Sequence, residues 1–282
     1  MPRQHATVEP ITDLSRIAVH TITTKRLLIE TCFKRYAELG FGGISVWDDG
    51  VDAAGAPRVA KLAEKSGLRV PALVRGGFFV STDPEKRQSA LNLNRTRIAQ
   101  AEEIGAEMIV VVAGAEPGVP LEEARRQVER GVAELLPDAE RAGVKLAIEP
   151  LHPMYAADRC CINRLAEARA LCESLDSPQL GVAVDVYHTW WDPDLETEIA
   201  ALGEQERLFA YHVCDWKTDT RHLLLDRGLM GDGVIDLRAF RGMMERAGFD
   251  GMIEVEVFNE DYWAMDPDEY LGLIRERVFE FV

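Results

Sequence analysis

An apolar run that ends on a carboxylate, LAIEPLHPMY at residues 146–155, is the stretch that decides the fold. Its first residues are typical of a buried strand, Glu149 then ends the run, and Pro150 cannot continue it. A carboxylate is expensive to bury alone, so a strand that ends on one indicates a polar site at that end. Three later apolar runs end in much the same way: QLGVAVDVYH (179–188), LFAYHVCDW (208–216) and GMIEVEVF (251–258).

Short apolar runs of this kind alternate with longer amphipathic runs along nearly the whole chain. The sequence predicts eight strands, at 16–22, 42–47, 69–76, 107–114, 145–150, 179–188, 208–216 and 251–258. It predicts eight helices, at 24–40, 54–67, 83–105, 121–143, 163–176, 192–203, 236–248 and 266–281. Eight strand–helix units in 282 residues are what an α/β fold of the (β/α)8 TIM-barrel type requires, and we expect one such domain over residues 1–282.

A doubly wound open sheet is the structural alternative. Its dinucleotide-binding members carry a glycine-rich turn after the first strand, whereas the corresponding stretch here, HTITTKR (20–26), contains no glycine. Several predicted helices close on a glycine just before the next strand, as Gly105 and Gly143 do, which is a normal helix end. The count of eight strands and these endings favour the barrel.

The overall charge limits the partners. The formal net charge is −16, with no run of Lys or Arg to offset it, so nucleic acid and anionic membrane surfaces are poor partners. The five cysteines form no CxxC pair, and the N-terminal residues, including His5, show no signal-peptide pattern. We therefore expect a cytoplasmic protein with reduced thiols, no membrane span and a small-molecule substrate.

Polar residues end the last four predicted strands, and in a TIM barrel the working residues lie at those ends. These are Glu149, then Asp185 and His188, then His212 and Asp215, then Glu254 and Glu256. Converging carboxylates repel one another, and a divalent cation removes both that repulsion and the cost of burial. An oxygen-rich set with an imidazole suits Mn²⁺, and also Mg²⁺, Co²⁺ or Fe²⁺, better than a structural zinc. Cys214 shares a face with His212 on a regular strand and is an alternative thiolate ligand.

Five motifs in this order resemble the xylose-isomerase-like sugar phosphate isomerase/epimerase superfamily: IEP, DVYH, HVCDW, GDGVIDL and GFDGMIEVEVF. That group includes ketose 3-epimerases, hydroxypyruvate isomerase and inosose dehydratase, and it shares its fold with endonuclease IV. The resemblance implies four metal ligands, Glu149, Asp185, His212 and Glu256. It also implies that His188 contacts substrate. Glu254 is expected one layer deeper in the barrel, where it contacts either a metal ligand or the substrate.

The resemblance implies chemistry through an enediolate. A divalent ion that holds adjacent hydroxyl and carbonyl oxygens acidifies the carbon between them, and Glu149 and Glu256 would move its proton. His152, in the loop after Glu149, is a candidate additional acid or base. An extra proton-transfer group would suit the departure of a β-leaving group, so a lyase acting on a keto-inositol or a 3-keto-glycoside is the alternative to a metal-dependent isomerase or epimerase.

The first half of the chain and one long loop are expected to build the sugar pocket. Trp47 offers an apolar face for sugar C–H groups, Arg75 offers a fork for a hydroxyl, carboxylate or phosphate, and Phe78–Phe79 follow the third strand. His20 is either a core histidine or a ligand contact. In the loop 216–233, a candidate lid, Lys217 and Arg227 are cationic, and Arg227 is expected to touch substrate along with Asp215.

Two aromatic segments, 190–194 and 261–267, are predicted to form either the pocket rim or an oligomer contact. We expect the protein to be a homo-oligomer. Two other function classes are alternatives to the isomerase. An endonuclease-IV-like DNA repair enzyme needs a basic groove and many histidines, whereas this chain has six histidines and a charge of −16. A non-catalytic sugar-binding subunit would have no need of a complete ligand set.

Overall fold

The computed structural model describes residues 8–282, in which eight parallel strands close into a barrel in chain order. The strands are β1 (Ile17–His20), β2 (Gly43–Trp47), β3 (Ala72–Gly77), β4 (Met108–Val112), β5 (Lys145–Glu149), β6 (Leu180–Asp185), β7 (Leu208–Val213) and β8 (Ile253–Val255). Each one lies within or overlaps a predicted run. The predicted (β/α)8 barrel is confirmed. His5 lies outside the described residues.

Eight longer helices connect or follow these strands, as the amphipathic runs predicted. They are α1 (Ile29–Glu38), α3 (Ala56–Ser66), α4 (Pro84–Ile104), α5 (Leu121–Ala142), α6 (Leu165–Leu175), α8 (Leu195–Glu204), α9 (Leu237–Arg246) and α11 (Pro267–Phe281). Gly105 and Gly143 end α4 and α5 with φ angles of 73° and 65°, a left-handed conformation that glycine adopts without strain.

Three short helices were not predicted: α2 (Asp48–Ala54), α7 (Val186–Thr189) and α10 (Glu260–Ala264). Each follows a strand end too closely to develop a helical period of its own. In α7 the cap is Asp185, whose Oδ1 accepts the Tyr187 backbone N–H at 2.7 Å. The same carboxylate therefore ends β6 and begins the helix that carries His188.

The strands bury both faces, and their alternate residues face the barrel interior. On β5, β6 and β7 the interior positions are occupied by Ala147, Ala183 and Ala210, which belong to one small apolar cluster inside the barrel. Two residues further along each strand, the same face presents Glu149, Asp185 and His212. On these three strands a small side chain thus lies below each polar residue, while larger side chains such as Met108 and Phe209 belong to the same interior cluster.

Register sets the height of these residues relative to one another. Asp185 is the register partner of His212, and His212 is the register partner of Glu254 on the next strand. Glu256, two residues further along, lies nearer the rim than Glu254. All five cysteines are unpaired and buried. Among residues 8–282, no helix combines the length and the hydropathy that a membrane span requires.

Candidate metal centre and the cavity above it

The structure brings together the four side chains expected to bind a metal. Glu149, Asp185, His212 and Glu256 each offer one ligand atom, and these four atoms lie within 4.8 Å of one another. All four residues are buried. Three carboxylates and one imidazole in so small a volume fit a divalent cation, because carboxylate oxygens and imidazole nitrogen suit such ions and buried carboxylates require a compensating charge. Cys214, the alternative ligand, is not part of this group.

Hydrogen bonds already hold the four side chains in place. His212 Nδ1 lies 3.0 Å from Glu149 Oε1. The guanidinium of Arg227 is buried, and its Nη1 donates to Asp185 Oδ2 and to Glu256 Oε2, each at 3.0 Å. Arg227 was predicted to touch substrate from the loop. Its contact with two of the four cluster residues places it at the centre of the site.

A second buried carboxylate lies beneath the four. Glu254 Oε2 accepts the Ser45 hydroxyl at 2.5 Å and lies 3.1 Å from His20 Nε2. It is also 3.9 Å from His212 Nε2, a buried nitrogen with no hydrogen-bond partner among the described residues. Glu254 does not line the cavity, so the structure places it in the layer below, one of the two positions expected for it.

His20 connects this lower layer with the upper one. Its Nδ1 lies 3.1 Å from Glu256 Oε1, while its Nε2 faces Glu254. Burial alone would lower the pKa of His20, but the two glutamates raise it above its ordinary value. Each ring nitrogen of His20 thus faces one of the two carboxylates. Of the two roles left open for His20, the structure shows a core histidine whose partners are satisfied.

The shared charges shift several pKa values. Burial raises the pKa of Asp185 to about 7, against the opposing effect of Arg227. Burial alone would lower the pKa of His212, but its hydrogen bond to the Glu149 carboxylate and the charges of the neighbouring carboxylates raise it to about 10. Burial would raise the pKa of Glu256, yet His20 and Arg227 hold it well below its ordinary value. In the metal-free protein, Asp185 and His212 therefore bind protons more tightly than usual, and Glu256 binds them less tightly.

A cavity opens above the cluster, and Glu149 and Glu256 both line it. Four residues predicted for the substrate pocket are in its wall as expected: Trp47, Arg75, His188 and Arg227, together with Phe78. Phe79, in contrast, is buried in the apolar core. Further wall residues were missed by the sequence analysis, among them Tyr155, Arg159, Leu224 and Phe258. Three of these four come from irregular loops, where no periodic pattern indicates the direction of a side chain.

His152 and Asp215 do not line this cavity. The His152 ring packs against Trp216, 5.0 Å between ring centroids, and its Nδ1 accepts the Met154 backbone N–H at 3.2 Å. The contact of His152 with the site is through its backbone N–H, which donates to His188 Nδ1 at 3.2 Å.

Asp215 holds the loop 216–233. Its carboxylate accepts four backbone N–H groups, those of Trp216, Gly231, Gly233 and Ile235. Its oxygens are therefore engaged, which leaves a structural role for a residue expected to bind substrate.

Several contacts hold the loop 216–233, the candidate lid, in its place beside the cavity. Lys217 Nζ donates to Asp226 Oδ1 at 2.8 Å, so this lysine is engaged within the loop. The hydroxyls of Tyr155 and Tyr187 both donate to the Leu223 carbonyl, at 3.1 and 2.6 Å. These contacts connect the loop to the segments that follow β5 and β6, and they hold Leu224 in the cavity wall.

The two aromatic segments pack around the rim of the same chain. Trp191 Nε1 donates to the His188 carbonyl at 2.8 Å, and Trp190 lies 5.7 Å from Trp216 between ring centroids. On the other side, Trp263 Nε1 donates to the Ile22 carbonyl at 2.8 Å. No residue of either segment lines the cavity, so the pocket-rim and oligomer-contact interpretations both stay predictions.

The protein is a closed (β/α)8 barrel, and three carboxylates and an imidazole are buried together at its carboxyl end. These features define the class of barrels that have a candidate metal centre beneath a small-molecule cavity. The chain belongs to the family described as xylose isomerase-like TIM barrel, which matches residues 33–276. The resemblance stated from the motifs is confirmed.

Similar proteins include sugar isomerases and epimerases at low identity. The inosose isomerase of Bacillus subtilis (strain 168) is 22% identical over 209 residues, or 73% of each chain. The fructoselysine 3-epimerase of Shigella flexneri is 25% identical over 258 residues, which cover 86% of this chain and 90% of that protein. Among solved structures, protein SMc04130 from Sinorhizobium meliloti 1021 is 42% identical, with a TM-score of 0.92 over 95% of this chain and 99% of that one.

Proposed function

We propose that this protein is a divalent-metal-dependent isomerase or epimerase that acts on a ketose or keto-sugar through an enediolate. The observation that carries the proposal is the convergence of four ligand atoms within 4.8 Å, at the floor of a cavity that two of the four residues also line. Two similar proteins are named inosose isomerase and fructoselysine 3-epimerase, and these names support the same reaction class.

Glu149, Asp185, His212 and Glu256 would hold the ion, for which Mn²⁺ is our first choice. When bound, the ion supplies Lewis-acid polarisation of a carbonyl and an adjacent hydroxyl, which acidifies the carbon between them. The residues of the chain provide everything else: they orient the sugar, keep water away from the reacting carbon and move its proton.

Glu149 and Glu256 are the proposed proton carriers. They end β5 and β8, which are three strands apart around the barrel, so their carboxylates reach a sugar carbon in the cavity from different sides. An epimerase needs this arrangement, because one carboxylate removes the proton from one face and the other returns it to the opposite face. His20, bonded to Glu256, fixes the direction of that carboxylate.

His188 and Arg227 are proposed to bind sugar oxygens. His188 Nε2 lies 3.2 Å from Arg227 Nη2, and both residues line the cavity beside Glu256. Arg227 is held against the rings of Tyr187 and Phe258, with its guanidinium carbon 4.5 and 4.9 Å from their centroids. A guanidinium fixed in this way provides donors in a constant position for a developing oxyanion.

The lyase alternative relied on His152 as an additional acid or base. Because the His152 ring packs between the rings of Trp191 and Trp216, outside the cavity wall, the geometry favours the isomerase. A single domain over 1–282, a homo-oligomer and a cytoplasmic location stay predictions.

Incubation of the Mn²⁺-loaded protein with free ketoses in D₂O tests the proposal. We expect deuterium next to the carbonyl carbon together with an epimeric or isomeric sugar. An unsaturated product that disappears in the His152→Gln variant would favour the lyase instead. A set of ketoses and inososes that all fail to exchange with the fully loaded protein would contradict both.

A further inference from the structure

Two guanidinium groups line the cavity without a hydrogen bond or ion pair to the four candidate ligands, one on β3 and the other in the loop after β5. One is Arg75, whose guanidinium carbon lies 5.5 Å from the Trp47 ring centroid and 5.0 Å from that of Phe78. The other is Arg159, which lies 5.3 Å from the centroid of Tyr155. Aromatic faces hold a guanidinium in position without using any of its five N–H donors.

The donors of Arg75 have no acceptor among residues 8–282. Arg75 interacts electrostatically with Asp48, but the Asp48 carboxylate forms an ion pair with Arg97, with 3.3 Å between Asp48 Oδ2 and Arg97 Nη2. Arg159 has only a distant contact with Asp158, at 4.0 Å. Arg227, in contrast, is neutralised by Asp185 and Glu256. In a chain of net charge −16, two positively charged groups beside a cavity without close partners are unusual.

Backbone contacts join the two arginines into one continuous section of the rim. The Phe78 N–H donates to the Val112 carbonyl at 2.8 Å, and the Cys161 N–H donates to the Gly114 carbonyl at 3.0 Å. Gly114 permits this close packing, because a Cβ at that position would lie 2.9 Å from the Phe78 backbone. The loops after β3, β4 and β5 are thereby bonded side by side, so Arg75 and Arg159 belong to the same wall.

We propose that Arg75 and Arg159 form an anion subsite, so that the substrate is a keto-sugar with a carboxylate or phosphate at the end remote from the metal centre. This inference rests on the proposed function for the carbonyl end of the substrate. Guanidinium forks match the geometry of both anions, and they offset locally the negative field of the whole chain.

Isothermal titration of the metal-loaded protein with inorganic phosphate, and separately with malonate, tests the subsite without reference to any sugar. We expect one of the two anions to bind. In the Arg75→Met and Arg159→Met variants its affinity should fall about 10- to 100-fold, the effect of losing a hydrogen bond to a charged group. Arg275→Met is the matched control, because Arg275 also stacks on an aromatic ring, Phe279, on the distant helix α11.

The outcomes separate the two anions and the two proposals. Phosphate binding that depends on the two arginines assigns a phosphorylated sugar, and malonate binding of the same kind assigns a sugar acid. Anion binding that is absent, or unchanged in both variants, overturns the subsite. If neutral ketoses exchange deuterium but no anion binding depends on the two arginines, the proposed function is supported and the anion subsite is contradicted. If an anion binds through the two arginines but no ketose exchanges deuterium, the subsite is supported and the proposed function is contradicted.

Discussion

The two halves of the barrel rim contribute different things to the site. The ends of β5 to β8 carry buried charged residues: Glu149, Asp185, His212 and Glu256, with Glu254 beneath them. The ends of β1 to β4 contribute mainly a wall, in which Trp47, Arg75 and Phe78 face the same cavity. We propose that the second half supplies the chemistry and that the first half sets the shape and charge of the ligand.

Two residues, His20 and Ser45, connect the halves. His20 ends β1 but bonds to Glu254 and Glu256 on β8, the neighbouring strand across the barrel closure. Ser45 on β2 donates to Glu254 as well. The closure of the barrel therefore brings two groups from the first half, those of His20 and Ser45, into contact with the carboxylates of the second half. Changes in the chemical half should abolish turnover, whereas changes in the wall should alter which ligand binds and how tightly.

The largest expected effect is in the proposed proton carriers. We expect Glu149→Gln and Glu256→Gln each to lower the rate of deuterium exchange about 10²- to 10⁴-fold, the usual contribution of a general acid or base. Exchange should be followed by NMR at saturating Mn²⁺, with bound metal measured in the same samples. Glu276→Gln, an exposed carboxylate on α11, is the control. A variant that keeps its metal and near-normal exchange would remove that residue from the mechanism.

A smaller effect is expected from the carboxylate beneath the site. Glu254 faces the unpartnered Nε2 of His212, so its charge orients the imidazole whose Nδ1 faces the other ligands. Loss of such supporting groups typically weakens metal affinity about 10- to 100-fold, and we expect this of Glu254→Gln. Competition with a metal-sensitive dye measures the affinity, and thermal unfolding of the same variant checks that it folds. Unchanged affinity would make Glu254 purely structural.

Metal affinity should also depend on pH. In protein stripped of metal, the pKa of His212 is raised to about 10, so at neutral pH a proton must leave the ring before its nitrogen binds a cation. With a single proton released, affinity should rise about tenfold per pH unit between pH 7 and pH 9. Titration in two buffers of different ionisation enthalpy counts the protons. An affinity that stays constant over this range would show that His212 does not bind the ion.

The smallest expected effect is in the wall. Trp47→Ala removes an aromatic face, and such contacts contribute about 0.5 to 1.5 kcal/mol. We expect KM to rise about 2- to 12-fold with little change in kcat. Trp47→Phe keeps an aromatic ring and should retain most of the affinity. A loss mainly in kcat would instead indicate that Trp47 acts through its indole nitrogen, which lies 3.3 Å from His20 Nδ1.

The difference between the halves also explains what could be predicted from the sequence. Glu149, Asp185, His212 and Glu256 follow apolar strands, so the two-residue period and the barrel rule together indicate one interior face. Arg159 and Leu224 belong to loops in which no period applies, and their places in the wall depend on contacts such as those of Leu223. The hydrogen bond from Ser45 to Glu254 could not be predicted, because a small polar residue within a strand has many possible partners.

His152 and Asp215 show the limit of such reasoning in the chemical half. Both stand close in sequence to a strand end, but one turn of backbone is enough to direct each side chain elsewhere. Pro153 begins a short 3-10 helix that the His152 ring caps, and the four N–H groups around Asp215 belong to a loop whose path no strand pattern predicts. Proximity to a strand end locates a residue at the rim without settling the direction of its side chain.

Calorimetric titration of Mn²⁺ into chelator-treated protein tests the central claim most directly, when the wild type is compared with Asp185→Asn and His212→Gln. We predict one ion per wild-type chain and a large loss of affinity in each variant, while both variants keep their far-ultraviolet circular dichroism. No binding to the wild type, or equal binding to all three proteins, would contradict a metal centre at the ends of β5 to β8.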